Sequence, residues 1–174
     1  MCIRDREYPG VARSLVLASG LYFPSLRLDA PFLVPTALPV LGAVMRNTLS
    51  PLLARALWPA STRLLFAPAA VPSSFLQYFP AAMAVRPSQL RAVGEEALLT
   101  FPSTLSLAPR YPELTLPVVL IAGRRDRYVR ARAHTLRLHR LIPASKLLIS
   151  PDAGHMVHHA DLPLVLAGID AAAS

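Results

Sequence analysis

An aspartate and a histidine in the last third of the chain, Asp126 and His155, have the residue types of an acid–base pair. A carboxylate bonded to an imidazole holds the ring in one tautomer and stabilises the imidazolium that forms when the ring takes a proton from a hydroxyl. Each residue alone has a simpler interpretation, a turn-capping aspartate or a loop histidine bonded to backbone. Taken together they favour a functional pair, and we expect a carboxylate-to-ring-nitrogen distance of about 3 Å.

Both residues follow short apolar segments of the kind that form strands buried on both faces. Residues 118–122 end at Gly123, and residues 147–149 precede a turn at Gly154. A crossover helix predicted over 129–141 joins the two segments, so we expect parallel strands. The carboxyl ends of such strands line the crevice where an open α/β sheet carries out its chemistry.

The segment Pro-Val-Val-Leu-Ile-Ala-Gly-Arg-Arg-Asp (117–126), followed by Gly-His-Met (154–156), resembles the C-terminal half of a cap-bearing α/β hydrolase. In that family the acid precedes the histidine along the chain. The resemblance implies that Asp126 orients the imidazole, that His155 is general base and then general acid, and that the chemistry needs no cofactor. The implied reaction is hydrolysis of an ester or similarly activated carbonyl substrate, a small molecule with an apolar body.

The sequence lacks the nucleophile motif of such a hydrolase. A Gly-x-Ser-x-Gly turn is excluded by the seven glycines, which stand at positions 10, 20, 42, 94, 123, 154 and 168. In the family the nucleophile and the oxyanion hole lie upstream of the part that the resemblance covers. We therefore predict a C-terminal fragment of a hydrolase that is inactive by itself.

Two alternatives to a serine hydrolase stay open. A nucleophilic aspartate would make the protein an epoxide or haloalkane hydrolase. A non-catalytic binding or interaction protein on the same fold is the second alternative, because a fold does not imply a function. Asp29, which follows a first strand predicted at 13–19, is an alternative acid, but the long loop before it favours Asp126.

The sequence predicts an α/β fold organised in two parts. Residues 8–23 and 112–174 are expected to form a partial α/β-hydrolase core, with three consecutive parallel strands and flanking helices. Residues 24–111 are expected to form an inserted, mostly helical cap or lid. Residues 1–7 fit no element and resemble a non-native leader.

Helix starts in the cap are indicated by prolines, which suit the first helical turn. They place helices at 51–58, 72–79 and 87–100, and Asp161 is predicted to cap a final helix over 162–173. Large side chains are available to line the cap, although simple packing is the better interpretation of each: Trp58, Phe66, Phe75, Tyr78, Phe79, Met83 and Phe101.

The net charge of +8 results from 18 basic and 10 acidic residues, and all but one of the basic residues are arginine. Most are scattered, so we expect no nucleic-acid partner. Five arginines are clustered around the acid motif: Arg124, Arg125, Arg127, Arg130 and Arg132. We expect them to be exposed on a loop and on a helix face, an interpretation that we favour over a phosphate-binding site. A single cysteine and a polar start without a signal peptide favour a cytoplasmic protein.

Three histidines near the C-terminus, His155, His158 and His159, have no acid or cysteine at metal-ligand spacing, so we expect no metal. His134 and His139 are predicted to be surface residues of the crossover helix. Residues 30–45 are uncharged but too short and too proline-broken to span a membrane. They suit an apolar lid wall, with weak contact to a membrane surface as a second interpretation. The oligomeric state stays open.

Overall fold

The computed structural model describes residues 12–25 and 29–173, so the predicted leader at 1–7 lies outside the described residues. The chain divides into two compact units. The described residues of the first unit are 12–23, 64–70 and 104–173, and those of the second are 24–25, 29–63 and 71–103.

The regular elements of the described residues are three strands, nine α-helices and two short 3₁₀ helices. In chain order they are β1 Leu15–Ala18, α1 Ala30–Leu33, a 3₁₀ helix Val34–Ala37, α2 Val40–Asn47, α3 Leu49–Phe66, α4 Ser73–Tyr78, α5 Ala81–Ala84, α6 Pro87–Leu107, a 3₁₀ helix Ala108–Glu113, β2 Val118–Gly123, α7 Thr135–Leu141, β3 Lys146–Ser150, α8 Val157–Ala160 and α9 Leu162–Ala173.

The first unit is built on a parallel sheet with strand order β1-β2-β3. The predicted α/β class, with three consecutive parallel strands and flanking helices, is therefore confirmed. All six residues of the central strand β2 are buried, as its unbroken apolar sequence predicts. Because side chains alternate across a strand, Leu120 packs on one face with Leu138 of α7, and Ile121 packs on the other with Val157 of α8.

The prediction for the crossover helix is wrong at its start. The helix begins at Thr135 rather than at 129, because the Asp126 carboxylate accepts the N–H groups of Tyr128 and Val129 and keeps them in a loop. His134 is also not a surface residue, since it is only 5% exposed. Its Nδ1 lies 3.3 Å from the backbone nitrogens of both residues that follow the loop from β1, Tyr22 and Phe23. The buried imidazole of His134 thus supplies an acceptor for these two backbone N–H groups.

The second unit contains the helices predicted at 51–58, 72–79 and 87–100, but two of them are longer than expected. Helix α3 continues through Pro59 and α6 through Pro102. The predicted end at residue 58 is therefore wrong, since the helix includes Pro59 although proline lacks a backbone donor. In the structure the Thr62 hydroxyl lies 2.9 Å from the Trp58 carbonyl in this turn.

None of the described helices is both long enough and apolar enough to cross a membrane.

Candidate active site

The loop after β2 carries Asp126 and is tied to the loop after β3. Arg124 N–H donates to the Ser150 carbonyl at 2.9 Å, and Arg125 N–H donates to the Ala153 carbonyl at 3.0 Å. The backbones approach so closely that a Cβ atom on Gly123 would overlap the carbonyl oxygens of Ala153 and Gly154. Glycine is therefore required sterically where the two loops meet, and the two predicted site motifs lie against each other.

The loop after β3 carries His155 and is anchored by the last turn of α3. A Cβ atom on Gly154 would overlap the Ala67 carbonyl oxygen, and the Met156 N–H donates to the Leu65 carbonyl at 3.3 Å. Val157, two residues after the histidine, is fully buried. Sequence reasoning did not find this anchor, because residues 64–67 carry no signal that links them to the histidine.

The structure brings Asp126 and His155 together. The Asp126 Oδ2 lies 2.9 Å from the His155 Nδ1, and the exposed fractions of the two side chains are 1% and 19%. The other carboxylate oxygen, Oδ1, accepts N–H groups from Tyr128 and Val129, both at 2.8 Å. The Asp126 carboxylate thus lies within hydrogen-bond distance of three nitrogens, two backbone and one imidazole, and these contacts fix its orientation. Asp29, the alternative acid, lies in the second unit.

This arrangement is chemically that of an oriented base. In the tautomer whose Nδ1–H faces the buried carboxylate, the opposite ring nitrogen, Nε2, carries a lone pair that can accept a proton. His155 is partly exposed, whereas the carboxylate beside it is buried, which is the arrangement that a base accessible to a reactant requires. The catalytic role of the two residues stays a prediction.

An aromatic ring completes the surroundings of the histidine. The ring of Tyr128 lies edge-on to the ring of His155, with 5.0 Å between centroids and an interplanar angle of 64°. Sequence reasoning missed Tyr128. The available signal was its position two residues after the acid, in a turn too tight to carry it far from the carboxylate.

The neighbouring histidines, His158 and His159, lie side by side on the short helix α8. The rings of His158 and His159 have centroids 4.5 Å apart, and Phe66 lies 5.4 Å from His159. Partial burial, followed by the nearby imidazoles of His159 and His155, lowers the pKa of His158. Over residues 12–25 and 29–173, no group of three or more His, Cys, Asp or Glu side chains is arranged to hold a metal.

A polar cavity of about 450 Å³ lies beside the acid, lined by Pro68 and residues 124–127. Arg125 forms an ion pair of 2.9 Å with Asp152, but both side chains are more than half exposed, so the pair contributes little stability. All five arginines near the acid motif are exposed. They lie in the loop between β2 and α7 and not on a helix face, which corrects the predicted placement of Arg130 and Arg132.

A protein-family model described as "alpha/beta hydrolase fold" matches residues 6–161 of this chain. A comparison with curated proteins found no match.

Several solved structures are similar to this chain at low sequence identity. A thermophilic esterase from Thermogutta terrifontis is 18% identical with a TM-score of 0.55, covering 95% of this chain and 57% of that chain. A membrane phospholipase A, described as a bacterial virulence factor, is 18% identical with a TM-score of 0.65, covering 99% and 53%. An esterase from Exiguobacterium antarcticum is 12% identical with a TM-score of 0.64, covering 99% and 62%. The chain therefore spans between 53% and 62% of the length of these three.

Proposed function

Because the chain belongs to the α/β-hydrolase fold family, we propose that it carries the acid and the base of a hydrolase. The substrate is an ester or a similarly activated carbonyl compound with an apolar body. The observation that carries the proposal is the hydrogen bond of 2.9 Å between a buried, fully bonded Asp126 and the imidazole of His155. Similar folds described as two esterases and a phospholipase support ester chemistry.

The mechanism assigns one step to each residue. His155 accepts the proton of a nucleophilic hydroxyl at Nε2 while the hydroxyl oxygen attacks the carbonyl carbon of the ester. It then gives that proton to the departing alcohol oxygen, and it activates a water in the same way to release the acid product. Asp126 remains ionised throughout and balances the charge of the imidazolium. Its two bonds to backbone N–H groups keep it in place between these steps.

The proposal requires a nucleophile from outside the two motifs, since the sequence contains no Gly-x-Ser-x-Gly. The chain spans little more than half the length of the similar structures. We propose that the whole protein supplies a serine and an oxyanion hole from a strand-to-helix turn encoded before Met1. An aspartate at that turn would instead favour epoxide or haloalkane hydrolysis.

The second unit is proposed to be the cap that selects the substrate. It is inserted in chain order between β1 and β2, and it is mainly helical. It contains a cluster of aromatic rings, in which Trp58 and Phe75 each lie 5.7 Å from Phe79 between centroids. An apolar cluster of this kind suits an apolar acyl chain better than a charged substrate.

The test is to determine the coding sequence before Met1 and to assay the complete reading frame on p-nitrophenyl esters of increasing acyl length. A serine-reactive fluorophosphonate should label the encoded serine. Asp126→Asn should lower kcat by about 10⁴-fold, and His155→Ala should lower it by about 10⁶-fold, as loss of a triad histidine does elsewhere. As a matched control, Asp152→Asn removes an exposed carboxylate near the same loops and should leave kcat unchanged.

Two results would overturn the proposal. Full turnover in the His155→Ala enzyme would remove His155 as the base. A complete reading frame without a nucleophilic serine, cysteine or aspartate at a strand-to-helix turn would favour a non-catalytic binding protein instead.

A further inference from the structure

We infer that Tyr128 is a positioning residue for His155, an inference that rests on the proposed role of His155 as a base. The ring centroids are 5.0 Å apart with an interplanar angle of 64°, which is an edge-type aromatic contact. Nothing in the resemblance or the mechanism assigns a role to this side chain. Its position in the turn that carries Asp126 indicates such a role.

One carboxylate fixes both members of this contact. Asp126 Oδ1 accepts the backbone N–H of Tyr128 at 2.8 Å, and Asp126 Oδ2 lies 2.9 Å from Nδ1 of His155. The tyrosine backbone and the imidazole are therefore held from the same group. The ring of Tyr128 is placed against His155 by the turn that also orients the acid.

The contact with Tyr128 restricts a rotation of the His155 ring that the hydrogen bond to Asp126 does not restrict. A single bond at Nδ1 restrains one point of the imidazole, and the ring can still swing about that point. A second contact on the side of the ring opposes this swing, and so it favours the orientation in which Nδ1–H meets the carboxylate. Tyr128 is 40% exposed, so core burial alone does not explain why its ring lies there.

The expected size of the effect follows from aromatic pairs in general. An edge-type pair is worth a factor of about twofold to tenfold in a conformational equilibrium. Loss of the ring should therefore lower the population of the Nδ1–H tautomer, in which the proton points at Asp126, by about twofold to tenfold relative to the Nε2–H tautomer. Catalysis is not needed to observe this.

The experiment is ¹⁵N NMR of the His155 ring in this chain, which reports the ratio of the two neutral tautomers. We expect Tyr128→Leu to lower the Nδ1–H fraction and Tyr128→Phe, which keeps the ring, to restore it. Asp126→Asn serves as the positive control for a lost carboxylate. Tyr78→Leu, an exposed tyrosine of the second unit, serves as the matched control and should change nothing.

The outcomes separate this inference from the proposed function. An unchanged tautomer ratio in Tyr128→Leu, or failure of Tyr128→Phe to restore it in a variant with a native-like backbone spectrum, overturns the role of Tyr128 alone. Absence of the Nδ1–H tautomer in the unaltered chain contradicts the Asp126–His155 pair, and therefore the proposed function. A lowered fraction in Tyr128→Leu that Tyr128→Phe restores supports the inference.

Discussion

At the scale of single residues, His134 is the buried titratable group whose environment differs most from the predicted one. Burial, followed by the nearby Arg137 guanidinium, lowers the pKa of this histidine. Its neutral ring accepts backbone N–H groups of Tyr22 and Phe23, and a proton on Nδ1 would remove that acceptor. The imidazole therefore contributes stability only while it is neutral.

The pH dependence of unfolding should report this directly. The pKa of His134 is lower in the folded than in the unfolded chain, where it is about 6.5. Its contribution is therefore complete above pH 6.5 and is lost as the pH falls through and below that value. His134→Gln should reduce the slope of unfolding free energy against pH in this window by up to about 1.4 kcal/mol per pH unit, as measured by urea titration.

His139→Gln is the control for this prediction, because His139 is a half-buried histidine of α7 whose Nδ1 lies 2.8 Å from the Ser145 hydroxyl. An equal loss of slope in both variants would mean that the stability change does not come from the His134 acceptor.

At the scale of elements, the candidate site depends on how closely two loops and the end of α3 approach each other. Gly154 lies against the backbone of Ala67. A side chain could rotate away from an added Cβ atom, but this backbone cannot. Gly154→Ala should therefore displace the loop that carries His155 and lower the unfolding free energy by about 1–3 kcal/mol. Thermal unfolding followed by circular dichroism measures the loss.

Gly168→Ala in α9 is the matched control for the loop glycine. There a Cβ atom would meet Ile121 Cδ1 at 2.6 Å, the far end of a side chain that can move. Alanine also favours a helix over glycine by about 0.5–1 kcal/mol. The midpoint temperature of thermal unfolding should thus be higher for Gly168→Ala than for Gly154→Ala. The reverse order would contradict the close approach of the loops.

At the scale of the whole molecule, exposed apolar surface should govern its behaviour in solution. Leu162, Leu166 and Ile169 form an exposed apolar stripe at helical spacing on α9. Within the described sheet, β1 has a strand on one side and therefore presents a free edge. Exposed stripes and strand edges both promote association between copies of a chain.

We therefore expect the chain to self-associate, with an average mass in sedimentation velocity that rises with protein concentration. Leu166→Lys should reduce the association by breaking the apolar stripe. Asp170→Lys reverses the sign of one charge on the same helix without removing apolar surface, so it should have a smaller effect. A monomer at every concentration would contradict the prediction.

The sequence by itself determined the parts of this protein that depend on nearby residues. Two short apolar runs, one closed by Gly123 and one followed by a turn at Gly154, indicated β2 and β3, and the two motifs after them indicated Asp126 and His155. The fold class followed from the same pattern. These features are local, because strand burial and turn chemistry act within a few residues of the chain.

Only the tertiary structure decided what surrounds those two residues. His134 is buried because its imidazole is hydrogen-bonded to the backbone of Tyr22 and Phe23, which lie more than 100 positions earlier in the chain. The loop of His155 is anchored on Leu65 and Ala67. The ring of Tyr128 meets the imidazole because the loops after β2 and β3 are bonded to each other. Such contacts arise from the packing of distant segments, and among these residues only Tyr128, two positions after the acid, carries a signal in the sequence.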